Sequence, residues 1–137
     1  MPLDTKNMGI NMGSDFPAVW VVPEALQQLV ECGETDLVDE LLAIFQSDTA
    51  SRLAVLGRAV GAGDVATVKA EAHTIKGSAV QVGANRVAEA CLQMETEARK
   101  SPPTELDWLL SRLRRSFDEA CGMIAEQKQT TRKQFQK

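Results

Sequence analysis

The chain has 137 residues, the size of one ordinary domain and enough to close one hydrophobic core. Its formal net charge of -4 gives no electrostatic reason for nucleic acid or an anionic membrane to be the main partner. The three cysteines are odd in number, lie far apart and include no CxxC pair. This pattern indicates neither a disulfide framework nor a zinc site, and it favours a reducing, cytoplasmic setting.

The N-terminal part of the chain contains two predicted elements before the first long helix. Residues 1–22 mix Gly, Pro and Asn, and we interpret them as a flexible lead-in without the pattern of a signal peptide. Residues 23–31, PEALQQLVE, predict a short helix with Pro23 in its first turn. From 36 to 60 apolar residues recur at spacings of three and four, which predicts a long helix that GAG at 61–63 ends.

The middle of the chain predicts two further helices. The first runs from about 65 to 82, with Asp64 as its N-cap and Gly83 as its C-terminal stop. The second covers about 85–100 and has its own apolar stripe. No apolar stretch in the chain is long enough to cross a bilayer, so membrane insertion is not expected.

The last predicted helix follows the sequence SPP, which breaks the chain. Thr104 is expected to cap this helix, with Asp107 in a capping-box position, and the helix is expected to end at about 126. The polar, basic tail at 127–137 is predicted to be disordered. Four long amphipathic helices with short connections predict an all-α fold, an antiparallel up-down four-helix bundle over 23–126 with a short additional N-terminal helix.

The single histidine, His73, faces away from the apolar seam of its helix, because an α-helix turns by about 100° per residue. Lys69 lies one turn before the imidazole and Lys76 one turn after it, and both are close enough to attract an anion held on the ring. By itself, a lone histidine on a helix surface is usually a solvated residue, and exposed lysines are common.

Small residues lie beside the histidine on the same outward face. Ala70 and Gly77 keep the surface low, so that another protein can approach the ring, and Val80 adds an apolar side chain. A glycine inside a helix costs about 1 kcal/mol relative to alanine, which suggests a reason for Gly77. The alternative is that the glycine allows close packing of a neighbouring helix.

A partner for the imidazole can be predicted from the helical hairpin that turns near Ala84. His73 lies eleven residues before this turn and Glu95 eleven residues after it, so the two side chains should be at similar heights. We predict that Glu95 reaches Nδ1 of His73, which would leave the lone pair of Nε2 facing solvent and raise the basicity of the ring. The alternative is an exposed glutamate paired with Arg99.

The stretch AHTIKGSAVQVGA at 72–84 resembles the signature of histidine-containing phosphotransfer (HPt) domains of multistep two-component signalling, and the resemblance extends over about 20–125. That family folds as an up-down four-helix bundle. The resemblance implies that His73 accepts a phosphoryl group from an aspartyl phosphate on a receiver domain. It then passes the group to the aspartate of another receiver.

The resemblance also implies roles for neighbouring residues. Lys76 would help to hold the phosphate, Gly77 would give the receiver room, and Glu95 would orient the imidazole. Ser78 is a further, minor match, while Ile75 replaces a common leucine. The receiver would dock around His73 and on the preceding helix. The hairpin that turns near 62 brings Arg52 of that helix to the height of the histidine. The expected docking surface comprises Lys69, Ala70, Gly77, Val80 and Arg52.

The resemblance describes a phosphoryl carrier without ATP chemistry of its own. The sequence has no Gly-rich nucleotide loop and no cluster of carboxylates near His73, so no cofactor is expected and Mg²⁺ should come from the receiver. The expected partners are receiver domains of hybrid histidine kinases and response regulators, and the expected state is a monomer. Two alternatives stay open: an adaptor bundle in which the histidine is incidental, and the phosphorylated domain of a chemotaxis-type histidine kinase with its kinase core elsewhere.

Overall fold

The computed structural model describes residues 18–100 and 103–135, with the main chain alone at 103–104 and 130–135. The described residues form five α-helices and no β-strand, which confirms the predicted all-α class. In chain order the helices are α1 (Glu24–Glu31), α2 (Thr35–Ala62), α3 (Val65–Val82), α4 (Asn85–Glu97) and α5 (Pro103–Phe135).

The four long helices form an antiparallel up-down bundle. Each of α2, α3 and α4 packs on the next helix in the chain, α2 closes the bundle against α5, and α1 packs on α2. Leucine, isoleucine, valine and alanine side chains fill most of the core. Phe45 on α2 and Phe117 on α5 meet edge to face with ring centroids 6.0 Å apart. Among the helices of the described part of the chain, none has the combined length and apolar character that a membrane span requires.

The connections on either side of α3 have the predicted end signals. Asp64 caps α3, because its side chain accepts from the main-chain N–H of Thr67 at 3.2 Å and from the Thr67 hydroxyl at 2.6 Å. Gly63 and Gly83 end α2 and α3 in the left-handed conformation, with φ values of 70° and 83°. These tight turns fix the relative heights of α2, α3 and α4.

The segment before α1 differs from the flexible lead-in that the sequence predicts. Trp20 is buried, and its indole N–H donates to the carbonyl oxygen of Val82 at 2.9 Å. The main-chain N–H of Val21 donates to the carbonyl oxygen of Gly83 at 3.0 Å. The prediction is therefore wrong for 18–22, because a buried aromatic side chain and a main-chain hydrogen bond hold this segment on the end of α3. Residues 1–17 of the predicted lead-in lie outside the described part.

The boundaries of the last two helices also need correction. The helix predicted to reach 100 ends at Glu97. The last helix begins at Pro103, so Thr104 is inside it and is not the N-cap; proline is favoured at the first helical position because its missing N–H has no helical partner there. The helix continues to Phe135 rather than ending at 126, since 127–135 contains neither Gly nor Pro and is rich in Gln, Lys and Arg, which favour helix.

Candidate functional site

Helix α3 divides into a buried face and a face that carries the histidine. Its buried side chains are those of Val68, Ala72, Ile75, Ala79 and Val82. His73 directly follows a buried alanine and points outward, with 70% of its side chain exposed. The outward orientation that the sequence predicts is confirmed.

Helix α4 supplies the partner of the imidazole. The Oε2 atom of Glu95 lies 3.1 Å from Nδ1 of His73, as the hairpin geometry predicts. The Oε1 atom of the same carboxylate lies 2.6 Å from Nζ of Lys76. Only 19% of the Glu95 side chain is exposed, so both contacts are made at a half-enclosed position between the two helices.

The second contact is one that the sequence reasoning missed. The signal for it was present, because Lys76 lies one turn from His73 on the same face of α3. A carboxylate that reaches the ring from a neighbouring helix can therefore reach the ammonium group as well. His73, Lys76 and Glu95 form a cluster in which one carboxylate serves two partners.

The charge of the Glu95 carboxylate determines which nitrogen of the neutral imidazole carries the proton. Burial by itself raises the pKa of the Glu95 carboxyl, but hydrogen bonds from Lys76 and His73 and their charges outweigh burial, and the pKa is lowered. Glu95 is thus a carboxylate at neutral pH and can only accept hydrogen bonds. We assign the proton of the neutral imidazole to Nδ1 on this network, which leaves a lone pair on Nε2.

The open space beside the ring is consistent with the predicted low surface. Ala70 and Gly77 are both exposed, and Lys69 and Ser78 are half-buried. A Cβ atom added to Gly77 would meet nothing within 4 Å. The alternative that Gly77 lets a neighbouring helix pack closely is therefore excluded within the described residues.

Comparison with known proteins identifies the family. A model of the Hpt domain family matches residues 40–122, which is more than half of the chain. The chain belongs to the Hpt domain family. The match includes all three members of the His73, Lys76 and Glu95 cluster.

Two relatives show how far the similarity of this Hpt domain extends. Histidine-containing phosphotransfer protein 2 of Arabidopsis thaliana is 34% identical over 73 residues, which are 51% of this chain and 47% of that protein. The chain thus matches about half the length of this relative. The crystal structure of histidine-containing phosphotransfer protein B (HptB) from Pseudomonas aeruginosa PAO1 is similar with a TM-score of 0.69 at 25% identity, over 80% of this chain and 95% of that one.

Arg52 lies on α2 beside the histidine helix of this Hpt domain. Its guanidinium group donates to Asp48 at 2.9 Å and to Glu71 on α3 at 3.1 Å. Hydrogen bonds to Asp48 and then to Glu71 raise the pKa of Arg52. The structure therefore brings Arg52 near the height of His73, as predicted, but two carboxylates compensate its charge, which the sequence reasoning did not foresee.

An exposed apolar residue on α2 accompanies Val80. Ile44 and Val80 are each 60% exposed. Ile44 lies eight residues before Arg52 on α2, and Val80 lies nine residues after Glu71 on the antiparallel α3, so both lie toward the same end of the bundle. The predicted apolar stripe of this helix includes the buried Phe45 but not its exposed neighbour Ile44, so the sequence did not indicate Ile44 as a surface feature.

In residues 18–100 and 103–135, no group of three or more His, Cys, Asp and Glu side chains is arranged to hold a metal ion. The groups that the structure brings together at His73 are one accessible imidazole nitrogen, one ammonium group and the carboxylate between them.

Proposed function

We propose that this Hpt domain carries a phosphoryl group on Nε2 of His73 and relays it between receiver domains. The observation that carries the proposal is the contact of Nδ1 with Glu95 at 3.1 Å on a ring that is 70% exposed. One nitrogen is held as a donor, and the other presents its lone pair to solvent. The donor of the phosphoryl group would be an aspartyl phosphate of one receiver, and the acceptor an aspartate of another.

The transfer step follows from this geometry. The Nε2 lone pair attacks phosphorus in line with the aspartyl oxygen, the N–P bond forms, and the P–O bond breaks with its electron pair leaving on the carboxylate. Nδ1 keeps its proton, so the ring becomes cationic and the Glu95 carboxylate stabilises it. The reverse reaction delivers the group to the next receiver. The chain supplies position and charge, while Mg²⁺ belongs to the receiver and ATP is not used.

Docking of a receiver would use the surface around the histidine. Ala70 and Gly77 leave room beside the ring, Lys69 gives the surface positive charge, and the exposed side chains of Val80 and Ile44 offer apolar area. Arg52 would contribute through its aliphatic stem, because its guanidinium group is already bonded to two carboxylates. A modest interface of this kind suits a transient encounter between one monomer and one receiver.

The setting we propose for this relay is the cytoplasm. The three cysteines, Cys32, Cys91 and Cys121, are all free thiols in the structure. Free thiols persist in reducing compartments, where disulfides are rare.

A phosphotransfer assay tests the proposal. The purified chain is mixed with a Mg²⁺-loaded receiver that carries labelled phosphate on its aspartate, and a His73→Gln variant serves as the control. We expect acid-labile, base-stable label on the wild type and none on the variant. Label on both proteins, or on neither with several different receivers, would contradict the proposal, and receiver binding without transfer would favour an adaptor bundle.

A further inference from the structure

The ammonium group of Lys76, one turn from His73, is already paired. Nζ of Lys76 lies 2.6 Å from Oε1 of Glu95, and only 27% of the lysine side chain is exposed. The other oxygen of this carboxylate contacts Nδ1 of His73 at 3.1 Å. A single carboxylate therefore holds both the ring and the cation that lies one turn further along the same face.

Phosphorylation would place two anions in competition for this one cation. A phosphoryl group on Nε2 carries close to two negative charges and three strong acceptor oxygens. Lys76 follows His73 by three residues on the same helix face, within reach of a group held on the ring. Its ammonium group can bond the phosphoryl oxygens well only if it gives up part of its contact with Glu95.

We propose that Glu95 lowers the stability of phosphorylated His73 by competing for Lys76, and so keeps the phosphoryl group easy to pass on. This inference rests on the proposed function and deepens it. Glu95 is then a positioning residue with two opposing effects. Through Nδ1 it stabilises the cationic phosphorylated ring, and through Lys76 it withholds a positive charge from the phosphoryl group.

A double-mutant cycle separates these two effects. Glu95→Gln keeps a carbonyl acceptor for Nδ1 but removes the charge that holds Lys76, and Lys76→Met removes the ammonium group while keeping the length of the side chain. The equilibrium constant for phosphoryl exchange with one Mg²⁺-loaded receiver is measured for the wild type, both single variants and the double variant. Contacts that act independently give additive free energies in such a cycle.

The expected result is coupling between the two positions. Glu95→Gln should shift the equilibrium toward phosphorylated His73 more strongly in the presence of Lys76 than in the Lys76→Met background, by roughly three- to tenfold. Glu89→Gln, on the part of α4 that borders the groove with α5, should leave the equilibrium unchanged as a matched control. Equal effects of Glu95→Gln in the two backgrounds would overturn the inference.

The outcomes also distinguish this inference from the function on which it rests. Absence of label on wild-type His73 contradicts the proposed function, whereas labelled His73 with additive variants contradicts only the role of Glu95. A measurement on the wild type does not depend on the folding of any variant. The ¹⁵N resonance of Nζ of Lys76 should shift when His73 is phosphorylated, and an unchanged resonance would show that the lysine keeps its partner.

Discussion

Gly77 lies inside the helix that carries His73, where a glycine makes the helix less stable than an alanine would. A Cβ atom there would meet nothing within 4 Å. We therefore expect Gly77→Ala to raise the free energy of unfolding by about 0.5–1 kcal/mol. The added methyl group lies one turn from His73 and should slow phosphoryl transfer from a receiver. Urea unfolding and single-turnover transfer measure the two effects.

A second glycine provides the control for this substitution. Gly122 is exposed on α5, and a Cβ atom added there would also meet nothing within 4 Å. Gly122→Ala should give a similar gain in stability without any change in the transfer rate. A Gly77→Ala protein that accepts the phosphoryl group as fast as the wild type would show that receiver docking does not need the glycine.

The residues of the site differ in how well the sequence predicts their contacts. The contact between His73 and Glu95 follows from counting residues on both sides of Ala84, because antiparallel helices joined by a tight turn rise equally along the chain. The pairing of Lys76 with the same carboxylate does not follow from height, since a long side chain can select among several partners. Arg52 illustrates this too: its height was predictable, but its bond to Glu71 on the neighbouring helix was not.

At the scale of the helices, the tight turn between α3 and α4 requires a glycine at position 83. Gly83 has a φ of 83°, and a Cβ atom there would overlap the carbonyl oxygen of Val21. Gly83→Ala should therefore lower the free energy of unfolding by more than about 2 kcal/mol, because a left-handed non-glycine residue is strained and the segment around Trp20 must move away. Urea unfolding followed by circular dichroism measures the loss, and tryptophan fluorescence reports on the environment of Trp20.

Gly61 gives the matched variant for the same experiment. It lies in the last turn of α2, and a Cβ atom added there would meet nothing within 4 Å. Gly61→Ala should leave the stability unchanged or raise it slightly. Equal effects of the two substitutions would contradict the importance of the contact between Gly83 and Val21.

The ends of the elements show where local sequence signals are insufficient. Asp64 and Gly83 are strong signals, and the ends of α3 that they predict are confirmed. The helix predicted to end at 60 runs on to Ala62 and ends at Gly63, the last residue of the predicted GAG stop. Trp20 lies among residues whose composition resembles a linker, and its hydrogen bond to α3 spans 62 positions in the chain, so no local pattern reveals it. The polar composition beyond 126 predicts disorder, but α5 continues there, and Gln127 and Lys128 border a groove with Trp20 and Leu26.

The bundle as a whole protects a thiol beneath the functional site. Cys91 on α4 is completely buried, and burial, followed by the charge of Glu95, raises its pKa to about 12 even though Lys76 acts in the opposite direction. Cys32 in contrast is exposed. Because alkylation requires an accessible thiolate, iodoacetamide should modify Cys32 rapidly in the native protein and Cys91 only after global unfolding. Mass spectrometry at increasing urea concentrations measures the two rates.

The raised pKa of Cys91 also gives the sign of a pH effect on the whole molecule. Below about pH 8.5 the Cys91 thiol is protonated in both the native and the unfolded state. Above that pH the unfolded thiol ionises while the buried thiol stays protonated, so the free energy of unfolding should fall as the pH rises toward 12. Cys91→Ala should lose part of this slope, whereas Cys32→Ala should keep it. If Cys91 were alkylated as fast as Cys32 under native conditions, the bundle would be opening locally beneath Glu95, and the fixed height of the His73 partner would no longer hold.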